Sequence, residues 1–101
     1  YILKRWFDWD PKKAATNHEK HRVRFVDAVT AFDDPFALIA PDHGHSTLAE
    51  LRQWLIGEAD TGVLVVIFSV RQPGDVYRII SARPANRRER KIYGESKKLS
   101  V

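Results

Sequence analysis

Residues 63–70, VLVVIFSV, are apolar except for Ser69, and this segment constrains the fold more than any other part of the chain. A β-branched run of this length indicates a central strand that is buried on both faces. Turn-forming residues flank it, with a predicted hairpin loop at residues 58–62 and a Pro-Gly turn at residues 72–75. Residues 51–57 and 76–82 then become its antiparallel neighbours, although the first of these segments also has the propensity of a helix.

Two helices are predicted ahead of these strands. Asp10 can cap the first helix, because its carboxylate can accept hydrogen bonds from free backbone N–H groups, and Pro11 suits the first helical position. This helix extends to about Lys20. The second helix covers residues 23–32, where one apolar stripe repeats at helical spacing: Phe25, Ala28, Val29 and Phe32.

Short strands at residues 2–7 and 36–40 complete the predicted sheet, and Asp34-Pro35 ends the helix before the second of them. The element order is therefore strand, helix, helix, four strands and a final helix. Consecutive antiparallel strands with helices packed on one face indicate an α+β domain. With 101 residues the chain has the size of one domain, which we place at residues 1–94.

The last helix is predicted at residues 86–93. Asn86 can cap it, and Glu89 three residues later completes a capping box. Gly94 suits the position that follows a helix. Residues 95–101 have no pattern and are expected to be a loose tail.

Charge is unevenly distributed along the chain. From Arg78 to the end there are eight Lys or Arg and two acids, whereas the whole chain has a net charge of +4. Residues 33–60 have six acids and one base. The basic end indicates a polyanionic partner such as nucleic acid. Since the chain has no Cys, disulfides and thiolate metal sites are excluded, and the longest apolar run, six residues, is too short to span a membrane.

One loop holds three potential metal ligands, Asp42, His43 and His45. No second group of ligands follows at a spacing typical of metal sites. We therefore expect neither a metal ion nor another cofactor.

A series of short motifs follows in a distinctive order along residues 6–94. They are Trp9-Asp10, Lys13, Asn17, Lys20-His21, Val23, Phe25, Phe32-Asp33-Asp34-Pro35, His45-Ser46, Glu50, Arg52, Ile56-Gly57, the RIISAR segment that begins at Arg78, Arg87-Arg88-Glu89-Arg90 and Tyr93. As an ordered set they resemble the BrnT family of toxins from bacterial type II toxin–antitoxin pairs.

The resemblance implies a RelE-like α+β fold, with two N-terminal helices packed on a mainly antiparallel sheet and a short basic helix at the C-terminus. It implies a cytoplasmic ribonuclease that halts translation and is neutralised by a BrnA-type antitoxin. Two toxins and two antitoxins typically form a heterotetramer, which binds operator DNA through the antitoxin. Arg24 departs from the family pattern, in which a small capping residue precedes the second helix.

Metal-free cleavage of RNA needs a base for the 2′-hydroxyl, stabilisation of charge on the phosphate, and an acid for the 5′-oxygen. We expect Arg78 and Arg83 to hold the scissile phosphate, helped by Arg87 and Arg88 at the helix start, because guanidinium groups donate paired hydrogen bonds to phosphate. Arg78 and Arg83 are five residues apart, so strict alternation would place them on opposite faces of a strand. Either Arg83 lies beyond the strand or only one of the two faces the substrate.

Several side chains could act as the base or the acid in this reaction. His21 is the natural candidate, because imidazole titrates near neutral pH, but it could equally cap the first helix. Glu50 could be the base or merely the ion-pair partner of Arg52. Tyr93 could donate a proton, stack on a base, or pack its ring under the sheet. Arg52 is a candidate for binding RNA phosphates, and Lys20 could bind a phosphate or only solvate a helix face.

Two functions other than ribonuclease fit the same residues. A non-enzymatic nucleic-acid-binding module would use the basic segment for phosphate contacts, with a strong salt dependence, and leave RNA uncut. A degenerate toxin would only bind its antitoxin.

Overall fold

The structure, a computed structural model, describes residues 6–71 and 76–100. Within them the chain is an α+β fold with three helices and one five-stranded mixed sheet. The elements are β1 (Trp6–Asp8), α1 (Pro11–His21), α2 (Phe25–Thr30), a 3-10 turn (Ala31–Asp33), β2 (Leu38–Pro41), β3 (Arg52–Ala59), β4 (Gly62–Arg71), β5 (Val76–Pro84) and α3 (Arg87–Leu99). No helix in the described part of the chain is long and apolar enough to cross a membrane.

Strand β4 lies in the middle of the sheet, whose strand order is β1-β5-β4-β3-β2. It pairs antiparallel with β3 and β5, while β1 pairs parallel with β5. Most of its side chains are buried, as the apolar run at residues 63–70 predicted. The prediction of a strand rather than a helix at residues 51–57 is also confirmed.

The two faces of the sheet are covered by different helices. On the first, which we call the α2 face, Leu64, Val66 and Phe68 of β4 pack with Phe25 and Phe32 from the α2 region. On the second, the α3 face, the alternate residues of β3 and β4 pack with Tyr93 of α3: Trp54, Ile56, Val65 and Ile67. The expectation that all helices lie on one face is therefore wrong, because Tyr93 is buried against the side chains that point away from α2.

Helix α1 begins as predicted and closes part of the sheet edge. The Asp10 carboxylate accepts a hydrogen bond from the Lys12 N–H, and Pro11 is the first helical residue. The buried Asn17 side chain donates to the Ala82 carbonyl and accepts from the Ala82 N–H, at 2.8 and 3.0 Å. Asn17 thus hydrogen-bonds to the backbone of β5 at a residue beyond the end of β1.

Helix α3 begins with the predicted capping box of Asn86 and Glu89 but is longer than predicted. It continues through Gly94 to Leu99, so residues 95–99 are helical and not a loose tail. A glycine inside a helix costs only about 1 kcal/mol relative to alanine. Contacts on both sides of it outweigh that cost: Tyr93 is buried, and Lys97 lies 4.0 Å from Glu58 and over the Phe36 ring.

Other boundaries differ by a few residues. The second helix is shorter than predicted and ends in a 3-10 turn, strand β2 begins at Leu38, and the predicted loop at residues 58–62 is a turn of Asp60 and Thr61 only. Arg24, at the N-cap of α2, makes no capping hydrogen bond through its side chain. The turn at residues 72–75 and residues 2–5 of the first predicted strand lie outside the described residues.

Candidate functional site

A β-bulge in β5 places Arg78 and Arg83 on the same face of the sheet. Ile67 of β4 pairs with Ser81, but Phe68 pairs with Ile79, so Ile80 is an extra residue in β5. As a result Arg83 pairs with Val65 and Arg78 pairs with Ser69, two β4 positions four residues apart. Positions four apart on a strand share a face, so both arginines lie on the α3 face. The expectation of opposite faces is wrong because the bulge shifts the alternation by one.

Four residues form a row across the α3 face, which we call the arginine row: Asp8, Arg78, Ser69 and Arg52 are paired in register on β1, β5, β4 and β3. Arg78 Nη1 lies 3.3 Å from Asp8 Oδ1, and Arg52 Nε donates to Glu50 Oε1 at 2.8 Å. Ser69 is buried between them, and its hydroxyl has no hydrogen-bond partner among the described residues. Both arginine side chains remain partly exposed.

Arg83 lies further along the same face and forms a two-pronged ion pair with Glu89. Its Nη1 and Nη2 donate to the two carboxylate oxygens at 2.7 and 2.8 Å. Glu89 also accepts from the Asn86 N–H, so the same carboxylate caps α3. The hydrogen bonds from Arg83 outweigh burial and lower the pKa of Glu89, and those with Glu89 raise the pKa of Arg83. Arg87 and Arg88 are exposed in the first turn of α3.

Tyr93 is only 4% exposed and anchors α3 to the sheet. Its hydroxyl donates a hydrogen bond to the Asp34 carboxylate, which also accepts from the N–H groups of Glu58 and Phe36. Burial and the negative charge of Asp34 raise the pKa of Tyr93. Burial alone would raise the pKa of Asp34, but its three hydrogen bonds and the nearby Lys97 lower it overall. The Tyr93 hydroxyl is thus engaged with Asp34.

A groove of about 400 Å³ lies between the start of α3, strands β3 and β4, and the loop before β3. Its floor is apolar and its rim is charged; the lining residues are Asp42, His45, Trp54, Ile56, Val65, Ile67, Arg83, Glu89 and Ile92. On the rim, His45 Nδ1 is 3.0 Å from an Asp42 carboxylate oxygen, and the His45 side chain is 72% exposed. The loop that carries His45 is hydrogen-bonded to the backbone of Arg52 through Asp42 and Ser46. These hydrogen bonds connect the rim of the groove to Arg52 of the arginine row.

Lys20 and His21 lie elsewhere, in a second cavity of about 300 Å³ beside α1. Its lining is cationic and includes no acidic side chain: Lys12, Lys13, Thr16, Asn17, Lys20, His21, Ile80 and Ser81. We call it the lysine cavity. None of these residues lines the groove. The structure therefore brings Arg52, Arg78, Arg83 and Glu50 together on one face and leaves Lys20 and His21 outside that group.

Comparison with known families agrees with the sequence motifs. A model of the BrnT family, ribonuclease toxins of type II toxin–antitoxin systems, matches residues 9–89. The chain belongs to the BrnT family. No curated protein matches it. Family membership makes the chain a ribonuclease toxin with an antitoxin as its partner, and it confirms the resemblance.

The BrnT match includes Arg52, Ser69, Arg78 and Arg83, and it ends at Glu89, before Tyr93. In the described part of the chain, no three His, Asp or Glu side chains are grouped so that they could hold a metal ion.

Sequence reasoning missed several residues of this site. In the sequence, Asp42 and His45 raise the question of a metal site, and His45 also belongs to a family motif. A spacing of three in a loop suits an orienting hydrogen bond as well. The sequence could have identified Ser69 as a site residue, because it is a polar residue at a buried position of an otherwise apolar strand. The sequence predicts Glu89 as a helix cap, and no local pattern identifies Arg83 as its second partner.

Proposed function

We propose that the protein is a metal-free endoribonuclease whose active site is the arginine row together with the adjacent rim of the groove. The 2′-hydroxyl of one nucleotide attacks the neighbouring phosphorus while the bond to the 5′-oxygen breaks. The products are a 2′,3′-cyclic phosphate and a free 5′-hydroxyl. The observation that carries the proposal is the placement of Arg52, Arg78 and Arg83 on one face of the sheet.

Arg52 and Arg78 hold the scissile phosphate in this proposal. They are two strand spacings apart, roughly 10 Å between backbones, with the small Ser69 between them. Each guanidinium has five N–H donors, and its carboxylate partner uses only part of them. Glu50 orients the Arg52 guanidinium by a hydrogen bond, and Asp8 attracts the Arg78 guanidinium as an ion-pair partner. The remaining donors of both groups stabilise the charge that develops on the phosphate oxygens.

Glu50 and His45 are the proposed base and acid. Glu50 is beside Arg52 and therefore beside the phosphate, where its carboxylate can take the 2′-hydroxyl proton. Asp42 holds Nδ1 of His45, which orients the exposed ring and leaves Nε2 to protonate the leaving 5′-oxygen. His21, the candidate from the sequence, is the alternative acid, and it belongs to the lysine cavity.

The other candidates have supporting roles. Arg83, Arg87 and Arg88 bind phosphates that flank the cleaved bond, and Lys20 binds the RNA backbone through the lysine cavity. Tyr93 does not transfer a proton in this proposal, because its hydroxyl donates to Asp34 and its ring is buried. It holds α3 and the residues of its first turn against the sheet.

Family membership and the α+β fold support the proposed biological setting. We propose a RelE-like toxin domain that acts in the cytoplasm and stops translation by cleaving RNA. A BrnA-type antitoxin neutralises it, in a complex of two toxins and two antitoxins, and the antitoxin binds operator DNA.

The test is cleavage of end-labelled RNA by the purified protein in EDTA. Arg78→Ala is compared with Lys98→Ala, which removes one exposed positive charge from the far end of α3. We expect cleavage to survive EDTA, to fall about 100-fold or more in Arg78→Ala, as for other lost transition-state donors, and to be unchanged in Lys98→Ala. Equal cleavage by both variants, each folded by circular dichroism, refutes the assignment.

A non-cleaving RNA-binding module is the second candidate. The observation in its favour is the lysine cavity, whose lining has three lysines and no acidic side chain and so can bind phosphates without a fixed geometry. Salt-sensitive RNA binding without cleavage, on isolated RNA and on translating ribosomes, would establish it. A degenerate toxin would bind antitoxin but neither bind nor cleave RNA.

A further inference from the structure

Three successive levels of the α3 face alternate between charge and apolar surface. The arginine row is the first level, Trp54 paired with Ile67 is the second, and Arg83 paired with Val65 is the third. Same-face neighbours along a strand are about 7 Å apart, so the first and third levels are roughly 13 Å apart. Two guanidinium levels thus enclose an aromatic level.

The aromatic level is accessible from solvent. Trp54 is partly exposed on the floor of the groove, and Ile92 of α3, on the groove wall, is 46% exposed. Exposed apolar surface inside a charged face is typical of a binding site. The occupant must be flat and apolar on its faces, and it must be attached to anions that reach the arginines on either side. A nucleobase with its flanking phosphates has this chemistry.

We propose that the groove is a nucleobase subsite in which Trp54 stacks on one unpaired base of the RNA. This inference rests on the proposed binding of RNA phosphates by the arginines, and it names the substrate class as single-stranded RNA. A base inside a duplex has both faces covered by its neighbours, so Trp54 cannot stack on it. Stacking tolerates all four bases, because each presents a π face.

The experiment measures binding of 2′-O-methyl oligonucleotides, which have no free 2′-hydroxyl and cannot be cleaved by the proposed route. A single strand is compared with a blunt-ended duplex of the same composition, in which every base is paired. The variants are Trp54→Ala, Trp54→Phe, and the control Ile39→Ala, which removes an exposed apolar side chain from β2 on the α2 face.

We expect Trp54→Ala to bind the single strand about tenfold or more weakly, the usual effect of losing one stacked base. Duplex binding and the salt slope stay unchanged, because no charge is lost. Trp54→Phe retains most of the affinity, and Ile39→Ala all of it. In a variant whose other tryptophans are changed, Trp6→Phe and Trp9→Phe, the remaining Trp54 fluorescence is quenched by the single strand only.

Unchanged single-strand affinity in a folded Trp54→Ala, or equal loss of single-strand and duplex binding, overturns the inference. The Phe variant and the fluorescence of Trp54 decide the matter if the Ala variant does not fold. Cleavage in EDTA without any Trp54 effect would leave the proposed function standing and remove this subsite. Trp54-dependent binding by a protein that never cleaves RNA would support this subsite and refute the proposed ribonuclease mechanism.

Discussion

The arginine row and the lysine cavity both contain cationic side chains, but their charges are arranged in different ways. Arg52 and Arg78 each contact a carboxylate, and the contact of Arg52 is a hydrogen bond of 2.8 Å. The lysine cavity has three lysines and a histidine among its lining residues and no acid. The first region has little net charge and oriented groups, whereas the second has high net charge on flexible side chains.

This difference separates two tasks of an RNA-cleaving protein. Oriented donors stabilise a transition state, because they need no reorganisation when charge develops. Unpaired lysines attract a polyanion from a distance and release counterions, without requiring a fixed geometry. We therefore expect changes on the α3 face to alter the rate of cleavage, and changes in the lysine cavity to alter affinity.

The largest expected effect distinguishes the two histidines. His45→Ala should lower the cleavage rate at saturating RNA by about 100-fold, the lower range for a lost general acid, whereas His21→Ala should leave it within a factor of two or so. The measurement is single-turnover cleavage of end-labelled RNA by the wild type and the two variants. A loss of rate in His21→Ala alone would move the chemistry to the lysine cavity and reverse the comparison.

A second effect concerns the anchoring of α3 and its dependence on pH. Asp34→Asn should lower the free energy of unfolding by about 1–3 kcal/mol at pH 7, because it weakens the hydrogen bonds of a partly buried carboxylate. The pKa of Asp34 is lowered in the folded state, so its contribution is present above the unfolded pKa and is lost as pH falls through the folded value.

Urea unfolding of the wild type and Asp34→Asn from pH 7 down to pH 2.5 provides the check. The gap between the two proteins should close in acid. A gap that stays constant over this range would show that the charge of Asp34 is irrelevant. Tyr93 gives the opposite sign: its raised pKa means that its contribution is lost only in alkali, above about pH 10.

A smaller effect is expected for the pair of Arg83 and Glu89. The single changes Arg83→Ala and Glu89→Ala should together cost about 1 kcal/mol more than the double change, because each single change leaves the other charge without its partner. Urea unfolding of the wild type, the two single variants and the double variant measures this coupling free energy. Strict additivity would mean that the two-pronged pair contributes nothing to stability.

The smallest effect belongs to the lysine cavity. Lys20→Ala should weaken RNA binding for all sequences alike and reduce the slope of log K against log salt by about one, with no change in the rate at saturation. Lys98→Ala, at the end of α3, is the matched control with the same charge change. An unchanged slope in Lys20→Ala would remove the lysine cavity from the RNA-binding surface.

Local patterns predicted the elements of the fold better than the site. The apolar run at residues 63–70 and the caps at Asp10 and Asn86 depend on neighbours in the chain, and all three are confirmed. The extension of α3 past Gly94 was missed, because Tyr93 and Lys97 are held by residues far away in sequence. The bulge at Ile80 was missed for the same reason. It depends on how β4 and β5 pair, and no residue type at this position predicts it.

The hydrogen bonds of Asn17 have a consequence for self-association. By bonding both backbone groups of Ala82, one side chain replaces a neighbouring strand where β1 ends. Within residues 6–71 and 76–100, the outermost strands of the sheet are β1 and β2, which are three and four residues long. Such short edges are poor templates for edge-to-edge aggregation. A buried asparagine in α1 thereby occupies backbone groups of β5 that another strand would otherwise pair with.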